Sequence, residues 1–326
     1  MQPLLVSAGY DQTVRFWDLS NGCNVETFVH ADSQINSMAI SPSGHHLAVG
    51  GYHHIRLYDI RTFPPPIASN CETVPKNVTV TAFDETGQFL FTGGEDFRVK
   101  VWDHRNNMQC KFIFQVNAAV TSLTLHPSQL IMFVADVSGF LYVWDMRKVS
   151  EVLTGIDLEL GEYLTHIEIN GETFIGVTNK GKLVLCSVNN IHIEPIEKTV
   201  VVSLIKINLL NKKSIYPRYG LKCHFKKGDG RYFATTSDNG IVYHWDSQNL
   251  AQPVSILDIA SEVAKTAPTT GKMEAIWTWD CAYIGGNQLI TASGTQLRLW
   301  DLDTQKVLRN YRGHSKTITA MAFKTF

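Results

Sequence analysis

The chain has 326 residues, and 29 Lys and Arg balance 30 Asp and Glu to give a formal net charge of −1 at pH 7. Without an overall basic field we expect no nucleic-acid partner, because phosphate binding requires clustered cationic side chains. The 6 cysteines stand singly, which indicates neither a disulfide framework nor a zinc site and fits a reducing compartment. No apolar run reaches the roughly 20 residues that span a bilayer, so we also expect no direct membrane insertion.

A repeated unit opens the chain. Residues 7–18 read SAGYDQTVRFWD, and residues 92–103 repeat the pattern as TGGEDFRVKVWD. Each copy has a short apolar run, then Gly with an acidic turn, then a strand that ends in Trp-Asp. Val14 and Phe16 share one face of that strand and the residue between them points to the other, which is the two-residue period of β-structure. The unit therefore predicts a β-hairpin.

The same ending recurs along the whole chain. Six aromatic-Asp pairs and the degenerate pair Cys186-Ser187 mark seven positions at steps of 41, 44, 42, 42, 59 and 55 residues, beginning at Trp17, Tyr58, Trp102, Trp144, Cys186, Trp245 and Trp300. A period of about 40–45 residues with a terminal Trp-Asp is typical of a propeller blade of four antiparallel strands. We therefore predict an all-β fold, a seven-bladed WD-repeat β-propeller.

The first unit lacks an inner strand, because only a few residues precede the apolar run 4–8. Residues 317–323, TITAMAF, have no later strand with which to pair. Pairing of this C-terminal strand with the N-terminal blade would close the ring. The chain would then be a single domain, residues 1–326, with blades at 4–30 plus 314–326, 31–70, 76–115, 117–155, 163–210, 219–255 and 275–313.

Two segments interrupt the repeat. Residues 189–218 are expected to form a long loop between blades 5 and 6, and the overlapping run 211–231 is rich in Lys and Arg. Such a run is most often a solvated face, and contact with an acidic partner is the alternative. The second insertion, residues 255–273, contains residues 261–264, which could form one helical turn.

Two histidine pairs suggest a metal site, His45-His46 and His53-His54. Adjacent strand residues point to opposite faces, and no Glu or Cys stands at ligand spacing, so we expect neither a metal nor a cofactor. The sequence also has no nucleophile elbow and no phosphate-binding Gly-Lys-Ser/Thr loop. We therefore expect no enzyme activity.

One rim of a propeller surrounds the central channel, and residues just before a turn Asp or just ahead of an inner strand lie on it. Mostly aromatic and uncharged side chains occupy these positions here: Tyr10, Gln34, Tyr52, Glu95, Asn117, Trp277 and, two residues on, Trp279. Such a composition is typical of a protein-binding hot spot. We predict a partner-binding surface that is contiguous over blades 7, 1 and 2, although both Trp side chains could instead fill the core.

Several runs resemble one family over nearly the whole chain. They include SAGYDQTVRFWD, TGGEDFRVKVWD, IFQVN, the Trp-Thr-Trp at residues 277–279 and YRGHSKTITAMAF. Together they are similar to the G-protein-beta-like subunit of the target-of-rapamycin (TOR) kinase complexes, a WD-repeat protein. The resemblance to WD-repeat proteins implies a buried hydrogen-bonded tetrad in blade 1, formed by Ser7, Asp11, Trp17 and His314.

The same resemblance implies a non-catalytic scaffold subunit that binds and stabilises the catalytic domain of the TOR kinase. It would be a monomeric propeller within a larger assembly that contains other TOR complex subunits and acts in growth and nutrient signalling. Its expected location is cytoplasmic, with recruitment to endomembranes or lysosomes alongside the kinase complex. The alternative is an adaptor propeller that recognises a short peptide for a ubiquitin ligase or chromatin complex.

Overall fold

The structure is a computed structural model that describes residues 3–31, 33–71, 74–147, 155–157, 160–189, 206–215, 219–228, 230–266 and 276–324. Its strands form seven antiparallel sheets of four strands each, which are the blades of a β-propeller. The prediction of a seven-bladed all-β fold is confirmed, including the fifth blade, which has no terminal Trp.

Blades 1 to 4 follow one another along the chain, apart from the inner strand of blade 1. Blade 1 contains β1 (Leu4–Gly9), β2 (Thr13–Trp17) and β3 (Asn24–Val29). Blade 2 contains β4 (Ser37–Ile40), β5 (His46–Gly50), β6 (Ile55–Asp59) and β7 (Ile67–Cys71). Blade 3 contains β8 (Val78–Phe83), β9 (Phe89–Gly94), β10 (Arg98–Asp103) and, after a short 3₁₀ helix (His104–Asn106), β11 (Gln109–Gln115). Blade 4 contains β12 (Val120–Leu125), β13 (Ile131–Asp136), β14 (Phe140–Asp145) and β15 (Ile156–Asp157).

Blades 5 to 7 complete the ring. Blade 5 contains β16 (Leu164–Asn170), β17 (Thr173–Thr178), β18 (Lys182–Asn189) and β19 (Lys206–Ser214). Blade 6 contains β20 (Gly220–Phe225), β21 (Tyr232–Ser237), β22 (Ile241–Asp246) and β23 (Ser255–Asp258), followed by the helix α1 (Ile259–Thr266). Blade 7 contains β24 (Thr278–Gly285), β25 (Gln288–Ser293), β26 (Gln296–Asp301) and β27 (Lys306–Arg312), before the last strand, β28 (Ile318–Lys324). Within the described residues, no helix has the length and apolar character needed to cross a membrane.

The last strand closes the ring. β28 pairs antiparallel with β1, and the register runs from Leu4 opposite Lys324 to Gly9 opposite Ile318. Each inner strand contacts the inner strands of both neighbouring blades, so the seven surround a central channel without a gap. The predicted closure by the C-terminal strand is therefore confirmed.

Apolar side chains fill the interfaces between neighbouring blades. The described residues form seven apolar clusters, one at each interface. At the closing interface, Leu5 and Trp17 of blade 1 pack with Ile290 and Leu297 of blade 7. Because a central strand is covered on both faces, it reads as an uninterrupted buried run, as in β13. Each blade is thus stabilised mainly by its two neighbours.

Part of the predicted loop 189–218 is a strand. β19 is the outer strand of blade 5 and pairs with β18 from Ser214 opposite Lys182 to Lys206 opposite Asn189. The loop prediction is wrong for residues 206–214, because an outer strand can form through backbone hydrogen bonds without an apolar pattern. The rest of the proposed loop, residues 190–205 and 216–218, lies outside the described residues.

Candidate functional site: the tetrads and the rim of the channel

The tetrad of blade 1 joins side chains from both ends of the chain. The Trp17 indole N–H donates to Ser7 Oγ at 2.8 Å, and Ser7 Oγ lies 2.8 Å from His314 Nε2. His314 Nδ1 lies 2.9 Å from Asp11 Oδ2, which also accepts from the backbone N–H of Ser315 at 2.9 Å. The structure thus brings the four tetrad residues together where the ring closes.

The protonation of this tetrad follows from its surroundings. Burial lowers the pKa of His314 more than the Asp11 carboxylate raises it, so the imidazole is neutral near pH 7. Burial alone would raise the pKa of Asp11, but hydrogen bonds from the Ser315 backbone and the Thr13 hydroxyl outweigh it and lower that pKa. The single imidazole proton therefore sits on Nδ1 facing Asp11, and Nε2 accepts the hydroxyl proton of Ser7. Donors and acceptors match along the whole chain of bonds.

This Ser-His-Asp sequence of bonds has the order of a hydrolase triad but not its accessibility. The Ser7 side chain has 0% exposure, and its oxygen already accepts the indole N–H of Trp17. A catalytic serine needs a free oxygen facing a substrate. The tetrad therefore ties the two ends of the chain together.

Other blades keep parts of the tetrad with different side chains. The indole N–H donates to a Thr hydroxyl in three of them, at 2.8, 3.1 and 3.0 Å for Trp102–Thr92, Trp245–Thr235 and Trp300–Thr291. Blade 3 has no His ahead of its inner strand, and Lys100 instead donates to the turn carboxylate of Asp96 at 2.7 Å. In blade 4 the Tyr142 hydroxyl donates to Asp136 at 3.0 Å. The turn carboxylate thus keeps a donor where His is missing.

Blade 2 uses Tyr58 in place of Trp. Its hydroxyl lies 2.8 Å from His30 Nδ1, and His30 Nε2 lies 2.8 Å from His54 Nε2. His54, from one of the two sequence pairs, is thus a member of a hydrogen-bond network that includes the terminal aromatic residue. Among the described residues there is no group of three or more His, Cys, Asp or Glu side chains suited to a metal ion.

The residues predicted to bind a partner lie at one end of the blades. Neighbouring strands are antiparallel, so the start of an inner strand and the turn between the second and third strands lie at the same end. Tyr10 is 38% exposed and Tyr52 is 51% exposed. The other members are either exposed or half-buried: Gln34 and Asn117 are exposed, and Glu95, Trp277 and Trp279 are half-buried.

Three of these residues belong to one group at the junction of blades 2 and 3. Ser33 Oγ accepts from the backbone N–H of Tyr52 at 3.2 Å and donates to the Gln34 carbonyl at 3.0 Å. Asn77 forms an isolated β-bridge with Tyr52 and donates from Nδ2 to Glu95 Oε2 at 3.1 Å. Hydrogen bonds therefore fix this part of the rim.

The two Trp side chains form a second group, which extends toward blade 6. Their ring centroids are 5.0 Å apart, and Trp277 stacks on Tyr219 with centroids 6.4 Å apart and planes at 23°. Burial, together with a hydrogen bond to Tyr219, raises the pKa of Tyr163 to about 12. We call Tyr163, Tyr219, Trp277 and Trp279 the aromatic group. It joins blades 5, 6 and 7 at the mouth of the channel.

Sequence reasoning missed Tyr163 and Tyr219. Each stands directly ahead of an inner strand, β16 or β20, so the rule that selected Trp277 would also have selected them. We predicted a binding surface that extends from the Trp pair over blades 1 and 2. The described ring contacts of the pair lie within blade 7 and toward blade 6. Tyr10 and Asn117 lie elsewhere on the rim, in the β1–β2 turn of blade 1 and ahead of β12 in blade 4.

Seven four-stranded blades, closed by a Trp-Ser-His-Asp tetrad, define a WD-repeat β-propeller. The family model for the WD domain, G-beta repeat, matches residues 2–18, 22–59 and 70–103. The chain is 32% identical over 325 residues to the Target of rapamycin complex subunit LST8 of Bos taurus. The aligned residues cover 98% of this chain and 94% of that protein. The chain is also 30% identical over 329 residues to the Protein LST8 homolog of Drosophila melanogaster, and the aligned residues cover 99% of this chain and 96% of that protein. The chain belongs to the LST8 family, as its sequence resemblance indicated.

Proposed function

We propose that this chain is a non-catalytic scaffold subunit of a target of rapamycin complex, where it binds and stabilises the catalytic domain of the kinase. Membership of the LST8 family supports a place in the complex, because its relatives from Bos taurus and Saccharomyces cerevisiae are both named Target of rapamycin complex subunit LST8. The assembly would also contain other complex subunits, and its location would be the cytoplasm, with recruitment to endomembranes or lysosomes alongside the kinase.

The aromatic group carries the binding role. Its four large rings lie at one mouth of the channel, and Tyr219 is 39% exposed while both Trp side chains are half-buried. Rings that are packed against one another but still reach the surface offer a rigid contact at a small entropic cost. The hydrogen-bonded group around Tyr52 would extend the contact as a polar margin.

The tetrad of blade 1 supports a role without catalysis. Its Ser, His and Asp are the residue types of a hydrolase, yet each of their polar atoms already serves the closure of the ring. An enzyme active site would require an acid, a base and a nucleophile that converge on a cleft.

A binding measurement with one matched control tests the proposal. Trp277→Ala should weaken the affinity for the kinase catalytic domain by about 2 kcal/mol or more, roughly thirtyfold in Kd, as at a hot spot. The control is Leu308→Ala, which removes a 50% exposed apolar side chain on the outer strand β27, away from the rim. That variant should bind like the wild type, and both should show unchanged melting temperatures.

Two results would contradict the proposal. In the first, folded Trp277→Ala protein binds the kinase domain with the wild-type Kd. In the second, the wild-type chain recovers subunits of a ubiquitin ligase or a histone-modifying complex from native lysate and no kinase. That second result would support the peptide-adaptor function instead.

A further inference from the structure

A belt of threonine hydroxyls ties neighbouring inner strands together around the channel. The belt residue is the one that follows the first paired residue of an inner strand, at a β-bulge. In four blades its hydroxyl donates at 2.6 Å to a carbonyl of the next blade, in the pairs Thr319–Ile35, Thr79–Val120, Thr121–Leu164 and Thr165–Gly220. Each such bond crosses a blade interface.

The belt has no threonine in three blades: Asn36 occupies the position in blade 2 and donates to Asn77 Oδ1 of blade 3 at 3.2 Å, and the other two blades lie beneath the aromatic group. The equivalent residue is Leu221 in blade 6, which has no side-chain donor, and Trp279 in blade 7, which packs on Trp277. The register shifts directly after Gly220 and directly after Thr278, so Leu221 and Trp279 occupy the bulge positions. Large side chains at the rim therefore replace the hydroxyl at two consecutive blades.

Another set of side chains lies lower in the channel and crosses the interface between blades 5 and 6 and the interface between blades 6 and 7. His224, on the inner strand of blade 6, lies between one carboxylate from each neighbouring blade. Its Nδ1 is 3.1 Å from Glu168 Oε2 of blade 5, and its Nε2 is 3.1 Å from Asp280 Oδ1 of blade 7. The His224 side chain is 28% exposed, so it is neither free in solvent nor sealed in the core.

The hydrogen bonds around the carboxylates determine the charge of the imidazole. Glu168 Oε2 also accepts the backbone N–H of Phe225 at 2.9 Å, and Asp280 Oδ1 accepts that of Cys281 at 2.9 Å. Both oxygens are therefore acceptors. Only an imidazole with protons on both nitrogens can donate to two acceptors at once, because the neutral ring has one N–H and one lone pair.

We propose that His224 is an imidazolium at neutral pH and that it forms a proton-dependent clasp, Glu168–His224–Asp280, which holds blades 5, 6 and 7 together and spans the interface between blades 6 and 7, where the threonine belt is interrupted. Burial opposes this charge, but the two carboxylates outweigh it and raise the pKa of His224 to about 9. The clasp does not depend on which partner the rim binds.

Other titratable groups on the same three strands are consistent with one imidazolium. The ring centroids of His166 and His224 are 4.9 Å apart. Burial and the nearby charges of Lys222 and His224 keep the pKa of His166 well below its usual range, so the His166 ring is neutral. Burial raises the pKa of three further groups well above their usual values, so they are uncharged: Cys223 on β20, and Cys281 and Tyr283 on β24. The cations Lys222 and His224 thus balance the anions Glu168 and Asp280.

The clasp also fixes the base of the aromatic group. Asp280 directly follows Trp279, and His224 lies on the strand that begins just after Tyr219. Opening of the clasp would release the end of β20 from the start of β24. We therefore expect the stacking of Trp277 on Tyr219 to depend on the charge of His224.

Nuclear magnetic resonance of the full chain labelled with ¹⁵N at histidine tests the charge directly. We expect both ring nitrogens of His224, assigned by their loss in His224→Gln, to carry protons at about pH 7.5, a unit above an ordinary histidine pKa. The midpoint of deprotonation should lie at about pH 9. A neutral His224 ring at about pH 7.5 would overturn the proposal.

Thermal melting as a function of pH tests the clasp. A folded pKa of about 9, above the ordinary 6.5, means that the stabilisation is complete below about pH 6.5 and is lost as pH rises through about 9. At pH values below about 6.5, His224→Gln should lower the melting temperature, and it should flatten the dependence of the melting temperature on pH. His224→Arg keeps the positive charge and two donors, so it should melt at the wild-type temperature. His45→Gln, in a turn of blade 2, is the control and should keep the wild-type profile. Equal profiles for wild type and His224→Gln would refute the clasp.

Discussion

The tetrads predict opposite effects on stability for two substitutions at equivalent positions, Val to Thr in blade 4 and Thr to Val in blade 3. Trp144 is fully buried, and its indole N–H has no hydrogen-bond partner among the described residues. In blade 3 the Trp N–H donates to Thr92, which pairs with Lys100 across the hairpin, and the residue in the same register of blade 4 is Val134. Val134→Thr keeps the branched shape and places a hydroxyl oxygen beside the indole. We expect this substitution to stabilise the protein.

The size of the effect follows from two opposing contributions. A buried N–H without a partner costs about 1–3 kcal/mol in the free energy of unfolding, and the new hydroxyl removes that cost. Replacing a methyl group by a hydroxyl in a fully buried position costs about 1 kcal/mol on scales that allow hydrogen bonding. The net gain for Val134→Thr is then about 1 kcal/mol, or a rise of about 2 °C in melting temperature for a chain of this size.

Thr92→Val is the matched reverse substitution. It leaves the N–H of Trp102, which donates at 2.8 Å in the wild type, without an acceptor in a buried site. We expect a fall in melting temperature of about 2–4 °C, because the lost bond and the stranded donor outweigh the gain from an added methyl group.

Differential scanning calorimetry of the two variants and the wild type in one buffer measures both effects. Hydrogen exchange of the indole protons gives a local measurement, since the Trp144 N–H should exchange more slowly in Val134→Thr. The reasoning would be refuted if Val134→Thr lowered the melting temperature while Thr92→Val left it unchanged.

Two further predictions concern the ring. Deletion of residues 313–326 removes β28 and His314, so we expect an insoluble product or one without a cooperative melting transition; a soluble product that melts close to the intact protein would contradict closure by the terminal strand. Thr165→Val removes the hydroxyl that donates to the Gly220 carbonyl across a blade interface and should lower the free energy of unfolding by about 1 kcal/mol, whereas Thr165→Ser should not. Urea unfolding that gives both Thr165 variants the same stability would argue against the belt.

Ring closure could be predicted because the tetrad uses distinctive residue types at repeated spacings. A buried Asp and a buried His are costly unless each finds a partner, so Asp11 and His314 at opposite ends of the chain constrain the fold strongly. The outer strand β19 carried no such signal. Its pairing with β18 is a backbone ladder, and the sequence of residues 206–214, KINLLNKKS, is too polar for a buried strand.

The clasp could not be predicted for a different reason. Glu168 and Asp280 each lie 56 residues from His224, in strands that become neighbours only when the ring has formed. None of the three stands at a tetrad position, so the repeat assigns them no role. Tyr219 was within reach of the sequence rule, and the contact that makes it informative, its stacking on Trp277, requires the packed structure.

The irregular blades show what the fold physically requires. A buried turn carboxylate needs a donor, and His314, Lys100 and Tyr142 each provide one in a different blade. Different side chains join the inner strands of neighbouring blades: a Thr hydroxyl at four interfaces, Asn36 with Asn77 between blades 2 and 3, and His224 with Asp280 between blades 6 and 7. Residue types at these positions can therefore change while the ring stays closed. That freedom allows Leu221 to occupy the belt position between blades 6 and 7, which His224 and Asp280 span lower in the channel, and it allows Trp279 to occupy the next belt position, where its ring packs on Trp277.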